Sequence, residues 1–147
     1  MKAVIQRVKS AVLSVDGNEI SRIGKGLAVY FCVEQGDHAD LAQTFAAKLV
    51  KLRIFADDNG KMNLSVLDVG GEVLLISQFT LAADLSCGNR PSFFGAEKPD
   101  RADEIYRAAA AAVAKTGVTV KTGVFGADML IDQQNDGPVT IIWEAKR

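Results

Sequence analysis

The ten residues Glu72 to Leu81, EVLLISQFTL, constrain this chain more than any others, because a dry segment runs directly into hydrogen-bonding side chains. Val73 to Ile76 is an unbroken aliphatic run, the composition of a strand covered on both faces. Any fold must place it inside a sheet, with other layers on each side. The sequence then turns polar, as Ser77, Gln78 and Thr80 bring two hydroxyls and an amide to the strand's end. Left unpaired in a dry setting, each such group costs about 1 to 3 kcal/mol, so each needs a partner in the protein or in a ligand. If the strand continues past Ser77, Gln78 and Thr80 share one face, and Ser77 and Phe79 the other. The Gln78 and Thr80 face is the candidate site; the alternative is that these groups satisfy neighbouring backbone.

The flanking segments read as short strands and two helices. Lys2 to Val8 and Ala11 to Val15 are β-rich, Asp16-Gly17-Asn18 is a turn into Glu19 to Ile23, and Leu27 to Val33 suits a second central strand. From Asp37 the period lengthens: Leu41, Phe45, Leu49 and Leu52 make one apolar helical stripe, with Asp37 as its N-cap. Asp57 to Gly60 is a turn between Arg53 to Phe55 and Lys61 to Val66, and Gly70-Gly71 is another before the central strand. After Leu81 the stretch AADLSCGNRPSFFGAEKPD has neither period, and long aperiodic loops are often functional. Pro99 opens a helix through Lys115, with Ala102, Ile105, Ala109 and Val113 inward and Gly117 ending it. Val118 to Thr122, Met129 to Gln133 and Val139 to Trp143 are strands, and local statistics make Gln134 to Pro138 a hairpin turn. Trp143 is a core or interface aromatic, and the charged tail Glu144 to Arg147 is expected to fray.

Composition narrows the function. The length suits one domain over residues 1–147. A net charge of −1 argues against the broad basic face of a protein that wraps duplex nucleic acid, so no DNA partner is expected. No apolar run reaches membrane-span length, and MKAVIQRVKSAV lacks a signal peptide's apolar centre, so the expected location is the cytoplasm and no membrane is involved. Cys32 and Cys87 show no metal-site spacing and read as reduced thiols. His38, the only histidine, sits among polar residues and reads as a surface group, which leaves no Ser-His-Asp arrangement. Nucleotide-binding glycine motifs are absent, and neither cofactor nor metal is expected.

SQFTLAAD at 77 to 84, NDGPVT at 135 to 140, RPSF at 90 to 93 and AVIQRV at 3 to 8 together resemble the D-aminoacyl-tRNA deacylase (D-tyrosyl-tRNA deacylase) family, over nearly the whole chain. The departure is Leu85-Ser86-Cys87, where that family more often shows charged or polar residues. The resemblance implies an α+β fold, with antiparallel-rich sheets curled into a barrel-like core and two main helices packed outside. It implies hydrolysis of D-aminoacyl-tRNA, with glycyl-tRNA escaping the chiral filter and L-aminoacyl-tRNA rejected. Ser77, Gln78, Phe79 and Thr80 would be the catalytic set. Gly137 and Pro138 would be a cis pair that selects chirality from across a homodimer interface, fixed by Arg7. On the residues alone a solvated arginine is the commoner reading of Arg7, and the resemblance puts the functional reading ahead. The partner would be the tRNA 3′ end, and a net charge of −1 agrees with that only if few phosphates are touched.

An aminoacyl ester is already activated by its α-amino group and the neighbouring ribose hydroxyl, so it suits a hydrolase with no obvious base. Backbone N–H groups near Phe79 and Thr80 could stabilise the oxyanion, and Gln78 could orient substrate or water. Thr80 as a covalent nucleophile would need an adjacent base, and positioning is the favoured role. The resemblance implies help from the RNA's own 2′-hydroxyl. Two rivals stay open: another small ester or amide hydrolase acting through Thr80 or Ser77, and a non-enzymatic dimeric module holding a peptide or RNA terminus.

Overall fold

The computed structural model describes residues 1–145; Lys146 and Arg147, the end of the tail expected to fray, lie outside the described residues. The strand β1, Lys2–Val15, is continuous where two short strands were expected. The expectation failed because the buried positions change phase, from Ala3 and Ile5 to Val8 and then to Ala11 and Leu13. The strand survives because the slips are taken up by pairing irregularities opposite Arg7 and Lys9. As a result Ala3 and Ile5 join one hydrophobic cluster, and Val8, Ala11 and Leu13 a second.

The turn Asp16-Gly17 leads into β2, Asn18–Ile23, and then β3, Gly26–Cys32; both run antiparallel to β1. The helix α1 spans Asp40–Leu49 and begins two residues later than expected, with Ala39 at the N-cap and no side-chain cap. Asp37 is not its N-cap. Its carboxylate is fully buried, 2.5 Å from the Met1 ammonium, and accepts the Glu34 N–H at 2.7 Å. A buried charge facing an ammonium is worth more there than at an exposed helix end. The short strands β4, Phe55–Ala56, and β5, Met62–Leu64, pair around the expected turn.

The strand β6, Glu72–Ser77, lies parallel to β3 and also to β7, Thr119–Thr122, with Val73 to Ile76 wholly buried. Parallel neighbours need crossover connections, which α1 and the helix α2, Pro99–Ala114, help to supply. The strand order is β2-β1-β3-β6-β7, and the last strand, β8, Leu130–Glu144, runs along the remaining edge of β1. Antiparallel pairs predominate, and the mixed sheet curls until nearly closed, with the two helices outside. Side-chain parity assigns the layers. Leu27, Val29, Phe31, Val73 and Leu75 face the helices, while Ala28, Leu74 and Ile76 face the other cluster. Phe45 of α1 joins Phe31 to Trp143, at 4.8 and 5.1 Å between ring centres, so the half-buried Trp143 packs against the core. Between β3 and β6 the backbones come so close that a Cβ on Gly26 would lie 1.9 Å from the Glu72 carbonyl oxygen.

Residues 134 to 138 do not form the expected hairpin turn. They lie within β8, which continues through them because β1 offers fourteen consecutive residues to pair with. Gln6 pairs with Thr140 and Val8 with Asn135, so residues 136 to 139 stand opposite Arg7 alone. Turn-forming residues have become a wide bulge because long-range pairing overrode local preference.

Candidate active site

The polar end of β6 does not continue as a strand. Ser77 is its last residue, Gln78 turns away with φ −145° and ψ 78°, and Phe79–Ala82 forms one turn of 3₁₀ helix. The alternating faces expected for residues 77 to 80 are therefore not formed. The 3₁₀ turn nevertheless brings Gln78 and Thr80 together by another route, since the Gln78 Nε2 donates to the Thr80 hydroxyl at 2.5 Å. The Gln78 N–H continues the ladder onto the Phe31 carbonyl at 2.8 Å, which ties the turn to β3. The Leu81 N–H closes the turn on the Gln78 carbonyl, leaving the Phe79 and Thr80 amides at its open end, where a helical turn has no internal acceptors.

Ser77, Gln78 and Phe79 line a cavity of about 660 Å³ walled by Phe31, Phe93, Tyr106 and Phe125. Its size and apolar lining suit a small organic ligand. Thr80 is exposed outside this wall and is linked to it through Gln78. An amide donor cannot accept a proton, so the partner Thr80 has is not a general base. His38 is exposed beside the start of α1, as expected.

Sequence reasoning had flagged Phe93 through RPSF but had missed Tyr106 and Phe125. Tyr106 sits on the stripe of Ala102, Ala109 and Val113, so helical spacing already carried a signal. Its hydroxyl is buried and donates to the Leu75 carbonyl at 2.7 Å, and burial pushes its pKa up to about 12. Phe125 lies in a loop and had no periodic signal; its ring packs 6.0 Å from that of Tyr106.

The second group of residues gathers at the bulge. Gly137-Pro138 is a cis peptide, as the resemblance implies, and both residues are exposed. Arg7 is largely buried beneath it and donates to the Asp136 carbonyl at 3.0 Å and to the Ile54 carbonyl at 2.5 Å, with the Asp136 carboxylate 3.4 Å away. It is not a solvated arginine. On either side of the bulge, Gln6 donates to Thr140 at 3.2 Å, and Gln133 donates to both Gln6 and Asn135 at 2.8 and 2.6 Å. The bulge is thus held at both ends as well as in the middle.

The two groups are not together in one chain. Ser77 lies in register with Phe31, and Phe31 with Ala3, which stands four residues from Arg7 on β1. Four residues along and three strand spacings across separate the groups by roughly 19 Å over the sheet.

Cys32 adds a thiol behind the 3₁₀ turn, its sulfur 3.6 Å from the Phe79 carbonyl oxygen. Burial first, and then the nearby Glu34 carboxylate, pushes its pKa up to about 11. At pH 8 only about one such group in a thousand is the reactive thiolate. A disulfide reagent at that pH should therefore modify one thiol per native chain, the exposed Cys87, and two in denaturant. Rapid loss of both thiols in the native protein would contradict the burial of Cys32.

The family model described as D-Tyr-tRNA(Tyr) deacylase matches residues 4–144. A D-aminoacyl-tRNA deacylase of Paracoccus denitrificans is 53% identical over 141 residues, covering 96% of this chain and 95% of the relative. One from Deinococcus radiodurans is 56% identical over 141 residues, covering 96% and 97%. Among solved structures, one titled c-Myc DNA Unwinding Element Binding Protein superposes with a TM-score of 0.93 at 38% identity, covering 100% of both chains. A probable eukaryotic D-amino acid tRNA deacylase shares the fold at a TM-score of 0.82 and 17% identity, covering 97% of both chains. With the family model matched from residue 4 to residue 144 and relatives half identical along nearly their full lengths, this chain belongs to the D-Tyr-tRNA(Tyr) deacylase family.

Proposed function

We propose that this protein hydrolyses the ester joining a D-amino acid to the 3′ end of tRNA, also accepts glycyl-tRNA, refuses L-esters, and works as a homodimer in the cytoplasm. The observation that carries the reading is the 78–80 turn, which holds amide donors and the paired Gln78 and Thr80 side chains beside an aromatic-walled cavity. Such a cavity suits the terminal nucleoside with its ester, since aromatic rings stack on any base.

In the reaction, a water oxygen attacks the ester carbonyl, the bond from that carbon to the ribose oxygen breaks, and the ribose oxygen takes up a proton. Free amino acid and tRNA result. The Phe79 and Thr80 N–H groups are available to receive the developing oxyanion, and one such donor is typically worth about a hundredfold to a thousandfold. Thr80 accepts from Gln78, which fits a positioning group rather than a nucleophile. The α-amino group and the 2′-hydroxyl make the ester labile, so moderate assistance suffices.

Chirality cannot be read by a pocket shaped to one side chain when many side chains must be accepted. Backbone pressed against the α-carbon can read it, and exposed Gly137-Pro138, held by Arg7, is backbone suited to that task. Its distance from the 78–80 turn within one chain supports a site completed by the partner's bulge. The test is release of amino acid from D-tyrosyl-, L-tyrosyl- and glycyl-tRNA by the purified protein. Turnover of the first and third, with the second at least about a hundredfold slower, is expected. Equal turnover of D- and L-esters would sink the chiral filter, and no turnover of any would favour a binding module.

A further inference from the structure

The function proposed above leaves unassigned a surface beside the cavity mouth. Phe94 follows the Phe93 of the cavity wall, yet its ring is 89% exposed. The exposure is not that of a loose loop. The Phe94 carbonyl accepts from Gln35 Nε2 at 2.6 Å, Gly95 accepts the Gln35 N–H at 2.9 Å, and Glu97 donates its N–H to Val33 at 3.0 Å. Main-chain bonds to the end of β3 thus hold the ring's backbone in place and leave the ring in water.

Two cations share its surroundings. Phe94 and Lys98 both line the cavity, and Phe94 and Arg90 line a shallower depression of about 520 Å³ that has Phe93 and Phe94 in common with it. Lys98 is the residue just before α2. Arg90 lies in the loop closed by paired backbone bonds between Asp84 and Ser92, at 2.8 and 3.0 Å. Among the described residues neither side chain has a carboxylate partner. Of the acids nearby, Glu97 pairs with Arg101 at 3.5 Å and accepts the Lys98 backbone N–H at 2.8 Å, and Asp84 accepts the Ser86 N–H at 2.9 Å. On a chain of net charge −1, a pinned exposed ring that shares its two depressions with cations lacking a carboxylate partner is a local exception.

We infer that Phe94, Arg90 and Lys98 form the track for the single-stranded RNA that leads out of the site. A base just upstream of the terminal nucleoside stacks on Phe94, and its phosphates lie near Arg90 and Lys98. An aromatic platform with flanking cations is the general chemistry of single-strand binding, and it fits a 3′ end whose bases are unpaired. It also reconciles an RNA substrate with an acidic protein, because two phosphate contacts need no broad basic face. The inference rests on the proposed tRNA substrate.

The experiment compares D-tyrosyl-tRNA with D-tyrosyl-adenosine, the terminal nucleoside ester that lacks upstream nucleotides and phosphates. The unmodified dimer should show a kcat/KM advantage for tRNA. In Phe94→Ala that advantage should shrink about tenfold, through KM rather than kcat. In Arg90→Gln and Lys98→Gln the plot of log kcat/KM for tRNA against log salt should flatten by about 0.7 each. An unchanged advantage in Phe94→Ala, or unchanged salt slopes, would overturn the track. So would a Phe94→Ala protein that sediments as a monomer, because the ring would then serve a protein interface. If the unmodified protein cleaves neither ester, the substrate reading falls and takes the track with it, an outcome distinct from variants that match an active parent.

Discussion

Gly137→Ala should lower kcat/KM for D-tyrosyl-tRNA by at least about a hundredfold while leaving a folded protein. Gly137 has φ +131°, a conformation that residues with a Cβ rarely adopt, and holding alanine there costs about 1 to 3 kcal/mol. The added Cβ would lie 2.9 Å from Val139 Cγ2, 3.0 Å from the Val139 nitrogen and 3.1 Å from an Arg7 terminal nitrogen. Two of these neighbours belong to the bulge and the third to the side chain that holds it, so relief requires the bulge to shift. A displacement near 1 Å at a positioning element is enough for about a hundredfold in rate. Stability should suffer less, since β8 stays paired with β1 on both sides of the bulge, and each kcal/mol lost moves Tm by only about 2 to 4 °C at this size. The check is activity alongside thermal unfolding. Activity within a few-fold of the parent would mean that the bulge does not touch substrate, and a collapse of Tm would mean that it serves the fold.

How far this arrangement could be read from the sequence depends on whether a signal is local. The buried run Val73 to Ile76 is legible because a strand flanked on both sides carries its burial in its own composition. The stripes of α1 and α2 are legible because helical periodicity is also local, although Leu52, expected on the first stripe, lies past the end of α1 at Leu49. The misreadings are places where a distant segment decides. Asp37 offered good cap chemistry, but the Met1 ammonium, thirty-six positions earlier, claimed it. Gln134 to Pro138 had every local mark of a turn, and only a fourteen-residue partner strand could turn them into a bulge. Arg7 was ambiguous because its partners, Asp136 and Ile54, are far away in sequence. The candidate site divides in the same way. Ser77 to Thr80 stood out as polar residues closing a dry strand, although the 3₁₀ turn that joins Gln78 to Thr80 broke the parity used to find them. Phe125 contributes to the cavity from an irregular loop, where no periodicity could announce it.

Mixing two inactive variants, Gln78→Ala and Gly137→Ala, and letting their subunits exchange should restore activity. In one chain the 78–80 turn and the 137–138 bulge are separated by three strand spacings and four residues of strand, roughly 19 Å, too far for both to touch one ester carbon. In the proposed homodimer, a two-fold symmetric interface would offer each chain's bulge to the other chain's turn, giving two equivalent composite sites. In a heterodimer of the two variants, one composite site carries both alanines. The other combines the intact Gln78 of one subunit with the intact Gly137 of its partner. Random exchange of equal amounts makes half of the dimers mixed, each with one working site of two, so roughly a quarter of the parent activity should return. It should appear at the rate of subunit exchange, and crosslinking the subunits before mixing should prevent it. If each site were built from one chain, every site in the mixture would carry one alanine, and no activity would return. Mixed dimers verified by mass spectrometry yet inactive would refute a site shared across the interface.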